Sequence, residues 1–219
     1  MSEKSTPNQV SANTLRRLPY YLSYLKSLKN TDVAYISAPV IASELDLNEV
    51  QVRKDIAAIS SVAGKPKKGF EIDVLIRDIQ AYIGCEDNNC GILVGVGHLG
   101  RALLAYKGFE AYGLKIIAAF DSDPSVVGTE IAGKPVYHIA SLREFCQSTD
   151  AAIGIITVPA EAAQSTCDLL IKSNIKAIWN FAPVMLNVPE GIIVQNENIV
   201  SSLTIINKKL AEIAGSKQP

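Results

Sequence analysis

The chain has 219 residues, of which 48% are apolar and 20% charged, with a net charge of −1. That is enough to bury one sizeable core or two modest ones, and it excludes bulk disorder. No apolar run reaches the roughly 18 residues of a membrane span and the polar first dozen residues lack a signal peptide's apolar core, so a soluble, cytoplasmic protein is expected.

Charge is unevenly shared. Lys and Arg lead Asp and Glu by 11 to 9 through Gly84 and trail them by 10 to 13 beyond it, a basic front before an acidic remainder. Residues 1–13 are polar and read as a frayed arm. Leu15, Leu18, Leu22, Leu25 and Leu28 then recur at three- and four-residue intervals, predicting a helix capped by Thr14 or opening at Pro19. Ser37-Ala38-Pro39 opens a short helix through Leu45, and Asp46-Leu47-Asn48 makes a turn. A third helix starts at Asn48 with Gln51 in capping-box position. Val52, Ile56 and Ile59 share its apolar face, which leaves Gln51, Arg53, Lys54 and Asp55 towards solvent or a ligand. The basic loop Gly64-Lys65-Pro66-Lys67-Lys68-Gly69 and an extended Phe70-Glu71-Ile72 follow, then a helix from about Asp73 to Ile83. Helix, helix, turn, helix, basic hairpin is the order of a winged helix-turn-helix.

Cys85, Cys90, Cys146 and Cys167 form none of the close pairs of structural zinc or thioredoxin-like sites, so no metal is expected. Cys85 with Cys90 as a redox pair is the alternative to reduced, half-buried thiols. From Gly91 strands and helices alternate, as in a parallel sheet with crossovers. Strands are read at 92–96, 115–120, 151–158, 176–180 and 192–195, with a further short one ending near His138. Their continuous apolar runs imply burial on both faces. Helices are read at 98–107, 141–146, 161–173 and 199–213. The fold class is therefore α/β: a winged helix-turn-helix domain over 1–84, then a Rossmann doubly wound parallel sheet over 85–219.

Gly95-Val96-Gly97-His98-Leu99-Gly100 follows a strand and opens a helix. In that setting Gly95 permits the tight turn, Gly97 lets backbone approach a pyrophosphate, and Gly100 lets helix pack on strand. Asp121 ends the next strand 21 residues past Gly100, where a carboxylate accepts the adenine-ribose hydroxyls and repels a 2′-phosphate. NADH or NAD+ is thus favoured as ligand over the phosphorylated cofactors. Asp123 is the competing acid, and a glycine-rich turn with a capping aspartate is the bland alternative. Two further strand ends, Thr157-Val158-Pro159 and Asn180-Phe181-Ala182-Pro183, lie where ligands of parallel sheets collect. Thr157, Pro159, Asn180, Phe181 and Ala182 are accordingly candidates to line a nicotinamide pocket.

On the basic front, Gln51 is chemically suited to adenine and Arg53 or Lys54 to guanine in a major groove, while Lys65, Lys67 and Lys68 suit phosphates or the minor groove. One such domain covers half of a typical operator, which argues for a two-fold dimer. The last helix is apolar around much of its circumference (Val200, Leu203, Ile205, Ile206, Leu210, Ile213) and wants a partner to bury it. The rival classes are an NAD-dependent dehydrogenase, for which His98 and His138 lack an evident partnering acid or arginine, and a coenzyme A or nucleotide sensor.

Leu15-Arg16-Arg17-Leu18-Pro19-Tyr20-Tyr21, Val52-Arg53-Lys54-Asp55, Gly97-His98-Leu99-Gly100-Arg101-Ala102-Leu103, Ala118-Ala119-Phe120-Asp121 and Asn180-Phe181-Ala182-Pro183 together resemble the Rex family of redox-sensing transcriptional repressors. The resemblance runs from about Thr14 to the last helix. It implies a homodimer with C-terminal helices swapped between subunits, bound to double-stranded operator DNA and released by NADH, with NAD+ competing. It puts the glycine loop on Gly95, Gly97 and Gly100, the ribose acid on Asp121 and the DNA-reading helix on residues 49–61. The chain departs from the family at Ala57-Ala58-Ile59, where an aromatic-containing stretch is common, and in the wing, where Lys65-Pro66-Lys67-Lys68 with Phe70 stands in place of more glycine and a tyrosine.

Overall fold

The computed structural model describes residues 10–85 and 89–215. It divides into two compact units, Met1–Asp87 and Asn88–Pro219. Of the N-terminal arm expected from sequence, residues 1–9 lie outside the described residues.

In the first unit, α1 spans Ala12–Ser27. Its cap is Ser11, whose Oγ accepts the Thr14 N–H at 3.1 Å, and not Thr14 as expected, because Thr14 is buried and its hydroxyl is engaged elsewhere. Pro19 lies within α1 and does not start it. The buried stripe is Thr14, Leu18, Tyr21, Leu22 and Leu25, while Leu15 is 44% exposed. Next come β1 (Tyr35–Ile36), α2 (Ala38–Glu44) with Pro39 in its first turn, and α3 (Glu49–Ile59). Asn48 caps α3, its Oδ1 accepting the Gln51 N–H at 3.1 Å. The unit closes with β2 (Phe70–Glu71) and α4 (Ile72–Tyr82).

β1 and β2 pair antiparallel, Tyr35 opposite Glu71 and Ile36 opposite Phe70. The basic loop ahead of β2 is closed by Lys65 N–H to Gly69 O at 2.7 Å and Gly69 N–H to Lys65 O at 2.9 Å. Gly69 has φ +83°, and a Cβ there would lie 2.2 Å from the Ile36 carbonyl oxygen, so only glycine closes this turn. The result is a wing beside a four-helix core of Leu18, Leu22, Leu25, Ile41, Val52, Ile56, Leu75, Ile76 and Ile79.

The second unit runs β3 (Asn89–Val94), α5 (His98–Ala105), β4 (Leu114–Asp121), β5 (Glu130–Ile131), β6 (Lys134–His138), α6 (Leu142–Gln147), β7 (Ala151–Ile156), α7 (Ala160–Lys172), β8 (Ala177–Asn180), β9 (Ile193–Asn196) and α8 (Ile199–Gly215). The strand order is β5-β6-β4-β3-β7-β8-β9, parallel except for the β5–β6 pair. From β3 the chain steps outward through β4 to β6, with β5 at that edge, then returns to β7 and steps outward through β8 to β9, so it changes direction across the sheet between β3 and β7. That switch point opens a crevice at the strands' carboxyl ends. Alternate residues feed separate clusters on the two faces: Ile92, Val94, Ala118 and Phe120 enter one, Leu93 and Ala119 the other, and Ile116 joins the second across the register shift that precedes Ala118.

The sheet differs from expectation in detail. β3 stops at Val94 and β7 at Ile156, two residues short of the apolar runs, because the loops that follow bend into the crevice. The antiparallel β5 was not anticipated; a two-residue strand has no periodicity to read.

Candidate functional site

Gly95 has φ +99°, and a Cβ on it would lie 2.8 Å from the Thr157 carbonyl carbon. At Gly100 a Cβ would meet the Gly95 oxygen at 2.0 Å. Both glycines are therefore fixed by the fold itself. Gly97 differs, since a Cβ there meets nothing within 4 Å. Its backbone faces open space at the start of α5, where the first N–H groups have no intrahelical acceptor and the helix dipole favours an anion.

Around that opening lies a cleft of about 520 Å³ lined by Gly95, Gly97, Leu99, Asp121, Ser122, Thr157, Val158, Pro159, Ala162 and Phe181. Asp121 ends β4 as expected. Its Oδ2 accepts the Val96 N–H at 2.6 Å and its Oδ1 the Asp123 N–H at 3.0 Å. The carboxylate thus caps the glycine turn and also faces the cleft, with lone pairs to spare. Asp123 is turned to its own loop, accepting the Ser125 N–H at 2.8 Å; that bond holds its carboxyl below the usual value. Thr157 Oγ ties the two crevice loops together, donating to Gly95 O at 2.6 Å.

Several sequence candidates occupy other places. Val96 is buried and takes part through its backbone, its carbonyl accepting from Arg101 Nε at 3.1 Å. His98 is exposed on the first turn of α5. Asn180 is fully buried, and its side chain is occupied by its own loop and by β9: Nδ2 donates to Val184 O at 2.8 Å and Asn196 Oδ1 at 2.9 Å, while Oδ1 accepts the Ala182 N–H at 3.0 Å. Asn180 shapes the turn that delivers Phe181 to the cleft, and its side chain does not line that cleft. Ala182 lines an adjoining hollow with Pro183, Met185 and Val200. Ser122, Val158 and Ala162 are cleft residues that the site reading left out; Ser122 was legible as the residue after Asp121.

On the first unit, Lys54 is exposed on α3, and Arg53 is exposed and paired with Glu49 one turn back. Lys65 Nζ donates to Tyr35 Oη at 2.9 Å and lies 4.9 Å from that ring's centre, with Lys68 Nζ at 5.8 Å from it. Tyr35 thus gathers two wing lysines, and Lys67 occupies the left-handed tip at φ 64°. One expectation fails on this surface. Asp55, expected outward, is 2% exposed, while Gln51 is exposed as expected and donates through Nε2 to Asp55 Oδ1 at 2.8 Å.

Among the described residues no cluster of His, Cys, Asp and Glu could hold a metal ion, no disulfide joins cysteines, and no helix is long and apolar enough to cross a membrane. A basic winged helix joined to a Rossmann sheet with a nucleotide-sized crevice defines a DNA-binding regulator of the ligand-sensing class. A family profile described as "Putative DNA-binding protein N-terminus" matches residues 9–57, and one described as "CoA binding domain" matches residues 86–184.

The chain is 39% identical over 202 residues to the redox-sensing transcriptional repressor Rex of Bacteroides thetaiotaomicron, covering 92% of this chain and 91% of that protein. It is also 39% identical to that of Treponema denticola, covering 94% and 96%. Among solved structures it is similar to RSP, a Rex-family repressor. The complex of RSP with β-NAD+ and operator DNA gives a TM-score of 0.86 at 31% identity and covers 96% of each chain. The complex with β-NADH gives 0.83 at 31% identity, over 95% of this chain and 97% of that one. The chain belongs to the Rex family of redox-sensing transcriptional repressors.

Proposed function

We propose that this chain is a cytoplasmic redox-sensing repressor that binds double-stranded operator DNA as a homodimer and lets go when NADH occupies the cleft of its Rossmann unit. The observation that carries this is the open backbone at Gly97 beside the Asp121 carboxylate, in the same chain as an exposed basic helix and wing.

The cleft fits a dinucleotide. Gly97 and the first N–H groups of α5 take the pyrophosphate, and Asp121 takes the adenine-ribose hydroxyls and disfavours a 2′-phosphate. Val158, Pro159 and Phe181 supply an apolar wall, which suits the uncharged dihydronicotinamide better than the cationic oxidised ring. A coenzyme A profile matches the same unit, so coenzyme A belongs in the titration as a competing ligand.

On the DNA side Gln51, Arg53 and Lys54 face base edges, and Lys65, Lys67 and Lys68 grip the backbone. The working division is 1–84 for DNA and 85–219 for nucleotide and dimer. Val200, Leu203, Ile205, Ile206, Leu210 and Ile213 of α8 are each more than half exposed in the single chain, and a second subunit buries them. The two recognition helices then engage half-sites about one helical turn apart, so a shift of a few ångströms between subunits breaks simultaneous contact.

The test follows anisotropy of a labelled operator bound by the full chain while NADH, NAD+, NADPH and coenzyme A are added in turn. Release by NADH at the lowest concentration is expected, and release by none of them, or equally by NADPH, overturns the sensor reading. Trp179, the chain's one tryptophan, lies 4.9 Å ring to ring from Phe181, so its emission reports occupancy of the cleft independently of DNA.

A further inference from the structure

Asp55 is the one buried charge among the described residues, and it sits on α3, the helix assigned to base reading. Its two oxygens receive donors from three residues of α1: Thr14 Oγ at 3.0 Å, Arg17 Nε and Nη2 at 2.7 and 3.0 Å, and Tyr21 Oη at 2.7 Å. The remaining donor is Gln51 Nε2 at 2.8 Å. A charge withdrawn from water is stable only when so paired and bonded, and four of these five bonds lock α3 to α1. The fifth has no such structural task.

Gln51 occupies the third position of α3, where a capping-box side chain would turn back to the cap residue. It reaches forward one turn to Asp55 instead, and it is exposed. A carboxylate only accepts hydrogen bonds. The Gln51 amide is therefore held with nitrogen towards Asp55, and its oxygen and second N–H are left on the outer side. That outer edge presents one acceptor beside one donor, the pair that matches adenine N6–H and N7 in the major groove. Guanine offers acceptors at both O6 and N7. With one N–H already committed to Asp55, Gln51 has one donor for two acceptors and sets its own oxygen against O6, so guanine is rejected as well as adenine welcomed.

We propose that Asp55 is a positioning residue that fixes the Gln51 amide edge outward and so makes Gln51 the adenine-selective reader of each half-site. The inference rests on the repressor reading above and goes on to assign its base selectivity.

The experiment uses the full chain to select duplexes from a randomised library about two helical turns long, followed by anisotropy titrations of the selected duplex and its single-base-pair variants. The unaltered chain is expected to prefer adenine at one position per half-site by roughly five- to 150-fold. Gln51→Met should level that preference and leave the other positions unchanged, with an unfolding midpoint far closer to that of the unaltered chain than Arg17→Ala gives. Asp55→Asn, which can donate as well as accept, should weaken the same preference wherever circular dichroism shows it folded. Should Asp55→Asn not fold, NMR of the unaltered chain decides the positioning role: one Gln51 amide proton is expected to be protected from exchange.

Adenine preference that survives Gln51→Met, or a Gln51 amide whose two protons exchange equally fast, overturns the proposal while leaving the repressor reading intact. No sequence-selective binding by the unaltered chain overturns the repressor reading itself.

Discussion

The two ligand-facing surfaces are built in opposite ways. In the Rossmann unit the cleft is made by what is absent. Three glycines hold a turn whose middle member opens onto empty space, and one acid at a strand end completes the electrostatics. In the winged-helix unit α3, the helix proposed to read bases, is oriented by what is present, a buried carboxylate with donors from Thr14, Arg17, Tyr21 and Gln51 converging on it. A site of the first kind tolerates side-chain change around it and fails when a methyl is added. The second kind tolerates added atoms on its surface and fails when one internal partner is removed.

Removing such a partner gives the largest expected effect. Arg17→Ala leaves Asp55 buried with neutral donors only, and breaking a buried ion pair in this way costs about 3–5 kcal/mol. Urea unfolding followed by circular dichroism should show a first transition displaced by that amount, with the nucleotide-binding unit unfolding as before; an effect below about 1 kcal/mol would mean that the pair behaves like a surface bridge.

The same carboxylate sets a pH dependence. Burial alone would raise Asp55, but the bonds from Arg17, Tyr21, Gln51 and Thr14 outweigh it and hold the carboxyl below its ordinary value. As pH falls below about 4, the unfolded chain takes up the proton before the folded one does, so the stabilisation is complete above that value and is lost on acidification. Burial and then the neighbouring carboxylate push the Tyr21 phenol up, so it remains a donor throughout. The winged-helix unit is therefore expected to be the first to melt as pH falls below about 4, and equal acid sensitivity of the Arg17→Ala variant would show that another group is responsible.

The glycines break the comparison from the other side. Gly100→Ala drives a methyl against the Gly95 oxygen, and overpacking of this sort costs about 1–3 kcal/mol, so the melting temperature of the Rossmann unit should fall. Gly97→Ala meets no neighbour and has φ −72°, so stability should stay within about 0.5 kcal/mol. Its methyl nonetheless fills the space proposed for the pyrophosphate. NADH binding read by Trp179 emission should weaken at least about tenfold, or about 1.4 kcal/mol. Undiminished binding by Gly97→Ala would remove the pyrophosphate from that position.

These contrasts explain what was legible in the sequence. The glycine turn and Asp121 are backbone requirements with fixed spacing, and they were readable because few other residues meet them. The sheet was readable where strands are buried on both faces. It was not at β5, with two residues, and only faintly at β6, where Lys134, Pro135 and His138 interrupt the apolar pattern. Asp55 was misplaced because helical periodicity assigns a charged residue outward, and its burial depends on donors 34 to 41 residues away on α1. The bonds of Asn180 were hidden for a related reason: a polar residue at a strand end reads as a ligand contact, and its side chain is taken up instead by Val184 and Asn196. Long-range polar partners leave no period in the sequence.

The smallest expected effect probes whether the outer face of the reading helix is already engaged before DNA arrives. Arg53 is paired with Glu49 one turn back, and both are well exposed. Exposed pairs of this spacing contribute about 0.3–0.5 kcal/mol, and Glu49 in the first turn adds a comparable dipole interaction. Glu49→Gln should therefore lower stability by less than about 1 kcal/mol. Binding should move the opposite way. The substitution frees Arg53 and removes a negative charge from a surface that must approach phosphates, so affinity for duplex should rise, most at low salt where charge repulsion is least screened. Anisotropy titrations at two salt concentrations read this directly. If the Glu49→Gln variant binds more weakly at both, Glu49 is not merely holding Arg53 in reserve but fixing the conformation from which Arg53 is proposed to reach the duplex.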